Sequence, residues 1–519
     1  MPFIDCNTEF ENLNEQSFDY TIIGAGAAGI LLAVKLSEIG KTVLLIESGH
    51  FEEDAERQQL NIIEQTGKDL TSSVSGRKRA VGGTTIAWGG QSLPFSPLDF
   101  IKREWVQNSG WPIQVNELDR YYKEANRFMQ VDELDYEDDI FKMLKMKKQP
   151  FDAGKLWYHF SKWAPEPNFR KLYNTVLQER VTVLYNAVTT NIISANANNA
   201  EAITIKNFNG NTYNLKVKRL LVACGAIEST RLLLASQATY NNGIGNHAGW
   251  LGKCFMEHPC IEIGFVQSPR QYKLQAAFNT HIHKGRKYSV RLTIAEKAQT
   301  EQKLLNASAG VMFDYLEDKF DPYIEIREYI RTKKISSLAG VASNSYAYLL
   351  SAKAYIADKF YYKHKARARV VMMLEQEPLA DSRITLSEQT DRLGMHKAKL
   401  NWQITKKTWD TVVYTSALVK DEIHRLGFGT LNIHSHITES NTNWQQHLSD
   451  VNHHMGGARM SADSSSGVVN KSLQVWGCDN VYVCSTAIFP TVSHSNPTLT
   501  LLALCLRLVD ELESSHNNH

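Results

Sequence analysis

The sequence predicts an α/β fold built on a parallel sheet, and two observations predict it. An apolar run, Asp19 to Ile23 (DYTII), leads at once into Gly24-Ala25-Gly26-Ala27-Ala28-Gly29, then into ILLAVKLSEIG with helical spacing, then into a second apolar run, TVLLIE, ending at Glu47. The chain has 519 residues, roughly three domains' worth at about 150 residues each, so it can bury sizeable cores without a disulfide scaffold.

DYTII reads as a short buried strand. Ile30, Ala33, Val34 and Leu36 offer the following helix a core face, and Gly40 ends it. Gly24 permits the tight turn off the strand, Gly26 lets the backbone approach a pyrophosphate, and Gly29 lets the helix pack close to the sheet. The helix start turns unpaired N–H groups toward such an anion. Glu47, 23 residues beyond Gly24, can accept hydrogen bonds from a ribose diol. Strand, GxGxxG, helix, strand and acid in this order predict dinucleotide binding; the structural alternative is a glycine-rich packing turn. No second fingerprint has a comparable context, which favours a resident flavin, while the acid itself suits FAD or NAD(P) equally.

Composition narrows the class further. Hydrophobic residues at 43% and charged residues at 22% exclude a disordered or collagen-like chain. A formal charge of +2, from 57 basic and 55 acidic residues, gives no electrostatic case for a nucleic-acid partner. Seven cysteines without a CxxC pair read as free thiols in a reducing compartment. The opening MPFIDCNTEFENLNEQ lacks the basic and apolar regions of a secretory signal, and the longest apolar runs, such as Leu499 to Leu506, fall short of a membrane span. A soluble, cytoplasmic protein is expected, with a frayed polar tail, ESSHNNH, and no internal repeats.

Downstream, Arg77-Lys78-Arg79-Ala80-Val81-Gly82-Gly83-Thr84-Thr85-Ile86-Ala87-Trp88-Gly89-Gly90 is by itself a tight, anion-tolerant loop. With the N-terminal fingerprint it resembles the flavin-covering loop of the glucose–methanol–choline (GMC) oxidoreductase family. Further stretches resemble that family in the same order: SGWPIQVNELDRYY from Ser109, LLVACGAIESTRLLLAS (Leu220 to Ser236), LGKCFMEHP (Leu251 to Pro259), EQEPLADSRITLSEQTDRLG (Glu375 to Gly394), HHMGGARM (His453 to Met460) and NPTLTLLALCLRLVDEL from Asn496. The likeness is weakest between 265 and 370. The wording GGTT, WGG, HxMGG and NPTLT is similar to the branch of pyranose oxidases and bacterial sugar dehydrogenases.

The resemblance implies an α/β FAD-binding Rossmann-type domain of GMC type, over residues 1–257 and 446–519, and an α+β substrate domain on an antiparallel sheet, over 258–445. Within the latter, KLNWQI and TVVYTSALVKDEIHRLG fit a strand and a covering helix. It also implies FAD-dependent oxidation of a secondary alcohol, of a sugar or glycoside, with electrons passing to oxygen, a small molecule or a protein; an oligomer is compatible with it. The FAD contacts it implies are Gly24, Gly26, Gly29, Glu47, Arg79, Gly82, Gly83, Thr84, Trp88, Gly89, Val188, Ala223, Ser485 and Thr498. Ser485 stands where many relatives carry an acid or glycine. Ala87 aligns with the histidine that some members bond covalently to flavin, so dissociable FAD is expected.

Hydride removal from an alcohol carbon needs a base for the hydroxyl proton, and a neutral imidazole suits that task. The resemblance gives this role to His453, with Asn496 positioning the same oxygen. His454 competes if the alignment slips by one, and His494 either faces the substrate or caps a loop. On local grounds Asn496 is a helix N-cap with Pro497 at the first helical position. Metal sites drawn from His434, His436, His453 and His454, or from Cys254, His258 and Cys260, lack zinc spacing, and no metal is expected. Residues 335–369 combine a helix with an aromatic–aliphatic face and a basic run, KHKARAR; they read as a packed helix with a solvated end, a lid, or a membrane or subunit contact. A nicotinamide-dependent dehydrogenase or reductase, and a non-catalytic flavin-binding partner protein, are the alternative functions.

Overall fold

The computed structural model describes residues 3–13, 16–194, 198–237, 242–315, 325, 328–329, 331–332 and 344–516. Six strands form a parallel sheet in the spatial order Phe3–Asp5, Thr182–Tyr185, Val43–Ile46, Tyr20–Ile23, Leu220–Val222, Val481–Val483. The two apolar runs read from the sequence are central neighbours, with Ile22 opposite Leu45 and Ile23 opposite Ile46. Both strands are buried along their whole length, as a parallel sheet covered on both faces requires. Phe3–Asp5 adds an edge strand beside Thr182–Tyr185, an element too short to read from periodicity.

The helix Ala27–Glu38 buries nine of its twelve residues, so it lies inside the molecule rather than on it. It packs between the sheet and the C-terminal helix Thr498–His516. Full burial of Leu31, Leu32 and Leu36 contributes about 1.5–3 kcal/mol each. The expected stop is observed at Gly40, whose φ of +78° reverses the chain.

A second, antiparallel sheet runs in the order Thr430–Ile433, Cys260–Gln267, Arg367–Leu374, Ala307–Asp314, Arg286–Ile294, Leu156–Trp163, Gln91–Ser92, with Thr280–His283 paired to Arg286–Ile294. Its two faces alternate strictly. Tyr288, Val290, Leu292 and Ile294 enter one apolar core with Ala307, Ala309, Val311, Ala368, Val370 and Met372. The helix Lys406–Arg425, expected as a cover, closes that core with Trp409, Val412, Val419 and Ile423. The opposite face carries polar residues, among them His159, Ser161, Ser289, Arg291 and Thr293, and looks toward the parallel-sheet unit. Gln91–Ser92 and Leu156–Trp163 join this sheet from before residue 258.

The stretch KLNWQI behaves differently from expectation. Its first three residues end the strand His396–Asn401 of a separate three-stranded sheet, antiparallel to Arg383–Thr390 and parallel to Glu64–Gln65. Ala398, Leu400 and the fully buried Trp402 anchor it there. In the region 335–369, residues 335–343 lie outside the described residues. A helix spans Ser345–Ile356, buried at Ala347, Ser351 and Ala354 and exposed at Tyr346, Leu349, Tyr355 and Ile356. The basic run does not end that helix: Arg367 and Arg369 open a strand, where Arg369 pairs with Asp314 and Glu262. Among the described residues no helix is long and apolar enough to cross a membrane, and no cluster of His, Cys, Asp or Glu could hold a metal ion. All seven cysteines are free.

Candidate active site

A cavity of about 540 Å³ runs from Glu47 to His453 and Asn496, between the parallel sheet and the C-terminal helix. At its inner end the glycine fingerprint sets the geometry. A Cβ on Gly29 would stand 1.8 Å from the Gly24 carbonyl oxygen, so only glycine lets the helix start this close to the strand end. Gly26 has open space where its Cβ would be and makes no side-chain cap, which leaves the first-turn N–H groups facing the cavity. The loop over this turn is tied down by the Gly82 N–H, which donates to the Ala25 carbonyl at 2.9 Å.

Glu47 is buried beside that turn. Its carboxylate accepts from the N–H groups of Ala25 at 3.0 Å and Gly49 at 2.8 Å. Burial pushes its pKa up, against those N–H groups and the Arg79 charge. Oε1 also accepts from the Ser48 hydroxyl at 3.1 Å, which leaves Oε2 with a lone pair for a further donor. Arg79 donates to Asn61 at 2.8 Å and Ser48 at 3.0 Å, and pairs with Glu228 at 2.9 Å. Arg77 and Arg231 converge on the same carboxylate at 2.8 and 3.2 Å. Although burial alone would raise it, the three guanidinium groups hold Glu228 down to about 2. The wall therefore stays ionised and net positive, suited to phosphates.

Gly24, Gly26, Glu47, Arg79, Gly83, Thr84, Ala87, Trp88, Gly89, Val188, Ala223, Ser485 and Thr498 all line the cavity. Gly29 and Gly82 stand behind it and act through packing. The Ser485 hydroxyl turns back to cap its own short turn, accepting from the Ala487 N–H. Trp88 is held by its indole N–H, which donates to the Pro167 carbonyl at 2.7 Å.

At the outer end, His453 Nε2 lies 3.2 Å from Asn496 Nδ2. The helix begins one residue after Pro497, whose carbonyl takes the first helical bond from the Leu501 N–H, so Asn496 is outside the helix and its amide is free for His453. His453 Nδ1 lies 3.0 Å from His258 Nδ1, while His258 Nε2 lies 3.1 Å from the Val492 carbonyl. A carbonyl only accepts, so His258 carries its proton on Nε2 and presents a lone pair at Nδ1. His453 must then donate from Nδ1, and its Nε2 is left as a lone pair facing the cavity. Burial, then the neighbouring His258 and His454, hold His453 well below the usual imidazole range, so this lone pair is present at neutral pH. Beneath, Glu257 accepts from the backbone N–H groups of His453 at 2.8 Å and His258 at 2.9 Å and so fixes the loop.

The two competing histidines have other partners, although His454 also lines the cavity. His454 Nε2 lies 3.0 Å from the Ser72 hydroxyl. His494 is buried in a network, with Nε2 3.2 Å from Thr293 Oγ1 and Nδ1 3.1 Å from Asn306 Oδ1. Sequence reading gave no role to His258, Glu257, Glu228 or Arg231. The first two stand in the quoted LGKCFMEHP and the others in LLVACGAIESTRLLLAS, but nothing local shows what each will meet.

Comparison with known proteins points the same way. Residues 378–505 match the family model described as GMC oxidoreductase. The 2-methyl-1,2-propanediol dehydrogenase of Mycolicibacterium austroafricanum is 21% identical, over 95% of this chain and 94% of that protein. The fructose dehydrogenase large subunit of Gluconobacter japonicus is also 21% identical, over 96% of this chain and 98% of that protein. The chain is thus similar to GMC oxidoreductases. It shares its fold with the formate oxidase of Aspergillus oryzae RIB40, with a TM-score of 0.59 and 15% identity over 97% of this chain and 99% of that one. It is an enzyme that acts on CH–OH groups, passing electrons from an alcohol to an acceptor by way of FAD. Its residues fit that cofactor: an elongated cavity, open N–H groups at Gly26, a buried acid at Glu47 and a positive wall. Neither the nicotinamide nor the non-catalytic alternative draws support from these matches.

Proposed function

We propose that this enzyme oxidises a secondary alcohol of a sugar or glycoside, with His453 as the base and Asn496 as the residue that positions the substrate oxygen. The observation that carries this reading is the meeting of His453 Nε2 and Asn496 Nδ2 at 3.2 Å, with the other nitrogen of His453 already committed to His258. A hydroxyl placed between them donates to Nε2 and accepts from the Asn496 amide. As the C–H bond breaks, the O–H proton passes to Nε2, the carbon keeps the oxygen as a carbonyl, and hydrogen leaves with two electrons. FAD, when bound, supplies the acceptor for that hydrogen and its electron pair.

Gly24, Gly26 and the loop at Gly83 and Thr84 are assigned to the pyrophosphate, Glu47 to a ribose, and Thr498, at the positive end of a long helix, to the flavin ring edge. Ala87 lines the cavity and has no atom able to bond the ring covalently, so the cofactor is assigned as dissociable. The sugar reading draws on the motif wording described above and on the relation to a fructose dehydrogenase large subunit. Oxygen, a small molecule or a protein serves as final acceptor.

The test is anaerobic mixing of the yellow holoenzyme with a panel of sugars, glycosides and polyols while flavin absorbance is followed. Bleaching by ring or secondary hydroxyls supports the proposal. Bleaching by simple primary alcohols alone contradicts it.

A further inference from the structure

The side chain of Arg291 is anomalous among the arginines of the interior. Arg77, Arg79 and Arg231 share Glu228, and Arg103 is locked to Glu375. No hydrogen bond or ion pair reaches Arg291 among the described residues, although the strand that carries it lies in the middle of the antiparallel sheet. Arg291 is only partly exposed, and its surroundings press on its charge by burial, yet a guanidinium does not escape by losing its proton.

Its surroundings define where it points. Along Arg286–Ile294 the even-numbered residues Tyr288, Val290, Leu292 and Ile294 enter the apolar core, so Arg291 is on the other face with Ser289 and Thr293. Ser289 accepts from the indole N–H of Trp163 at 2.8 Å, and Trp163 lines the reaction cavity. Thr293 meets His494, two residues before Asn496, and also His159, the residue directly opposite Arg291. Arg291 is thus flanked by one residue that holds the cavity-lining Trp163 and by another that holds His494, two residues from the cavity-lining Asn496. The Arg291 charge weakens protonation of both His159 and His494. Gly310 on the adjacent strand makes the room: a Cβ there would stand 2.7 Å from an Arg291 Nη1 atom.

We propose that Arg291 is a specificity-determining residue that binds an anionic group on the alcohol, a carboxylate or a phosphoryl group, so that the substrate is an acidic or phosphorylated hydroxy compound. The inference rests on the oxidation reading above and names its substrate class. A planar guanidinium offers two parallel donors to an oxyanion, and among the described residues no carboxylate pairs with them.

Matched pairs test it in the holoenzyme: glucose against gluconate and glucose 6-phosphate, and glycerol against glycerate and glycerol 3-phosphate. Anaerobic flavin bleaching is measured for the native protein, Arg291→Gln and Arg291→Lys, with flavin content checking that each variant folds. Separately, malonate and inorganic phosphate are titrated against the flavin spectrum, a readout that needs no turnover. The native protein is expected to be half-bleached by an anionic member at a concentration ten- to a hundredfold below its neutral partner, the range of a charge-assisted contact. In Arg291→Gln that ratio falls to about one, and Arg291→Lys keeps part of it. Equal response to charged and neutral partners in the native protein, or an undiminished ratio in Arg291→Gln, overturns the inference. If no alcohol bleaches the flavin yet the anions bind in an Arg291-dependent way, the oxidation reading fails while the anion site stands. If neither anion perturbs the spectrum and no anionic member is preferred, the anion site fails.

Discussion

The side of His453 that faces away from the cavity controls what the other side can do. With His258 accepting at Nδ1, the proton of the neutral ring is pinned there and the lone pair at Nε2 is preformed. His258 is therefore a positioning residue, which acts through His453. Replacing it with Leu frees the ring to adopt the other tautomer and to turn; kcat is expected to fall about a hundredfold, the scale of a misplaced catalytic group. His258→Asn keeps an acceptor and should recover part of the loss. The pH–rate profile separates this from a packing defect, because only loss of the tautomer lock moves its acidic limb. The meeting of His453 and Asn496 could be expected from the sequence because each stands in a motif that a family likeness can carry. The role of His258 could not: it exists only when a residue 195 positions away arrives at its Nδ1. The same holds for Arg291, whose meaning depends on the face it occupies in a sheet of distant strands.

At the scale of elements, legibility followed locality. Strand, turn, helix and second strand at 20–46 are contiguous, and their periodicity and glycine spacing already determine how they pack. The antiparallel sheet joins strands from Gln91 to Ile433, and no local pattern announces pairings such as Leu292 with both Tyr158 and Ala309. KLNWQI has strand alternation, but alternation does not say which sheet will take it. The closest packing in the first unit gives a direct test. Gly29→Val would drive a side chain into the Gly24 carbonyl and push the helix start off the strand end. The variant is expected to purify folded, by circular dichroism, yet colourless, with FAD content near zero. A fully yellow Gly29→Val protein counts against the assigned cofactor turn.

Across the whole molecule, burial of titratable groups couples stability to pH. Burial holds His159 and His454 down to about 3, and His258 and His281 to about 4. These bases have folded values below their unfolded ones, so their stabilising effect is complete above the ordinary histidine range near 6.5 and is lost as pH falls toward 4. Each uncharged histidine removes up to about 1.4 kcal/mol per pH unit over that interval. Thermal melts of the flavin-free protein should therefore show Tm dropping steeply below pH 6, and a flat Tm from pH 7 to 4.5 would refute this. Glu257 works the other way. Burial pushes it up to about 8, so its contribution is complete below 4.5 and is lost as pH rises through 8. Glu257→Gln, which cannot ionise, should shrink the decline in Tm between pH 5 and 8.

The central claim is that the Nε2 lone pair of His453 takes the substrate proton beside bound flavin. The most direct measurement is the anaerobic rate of flavin reduction by a saturating alcohol in His453→Ala, set against the native enzyme at equal flavin content. The account predicts an intact flavin spectrum with reduction slowed by about 10²–10⁴-fold, the usual contribution of a general base. Reduction within a factor of a few of the native rate would contradict it.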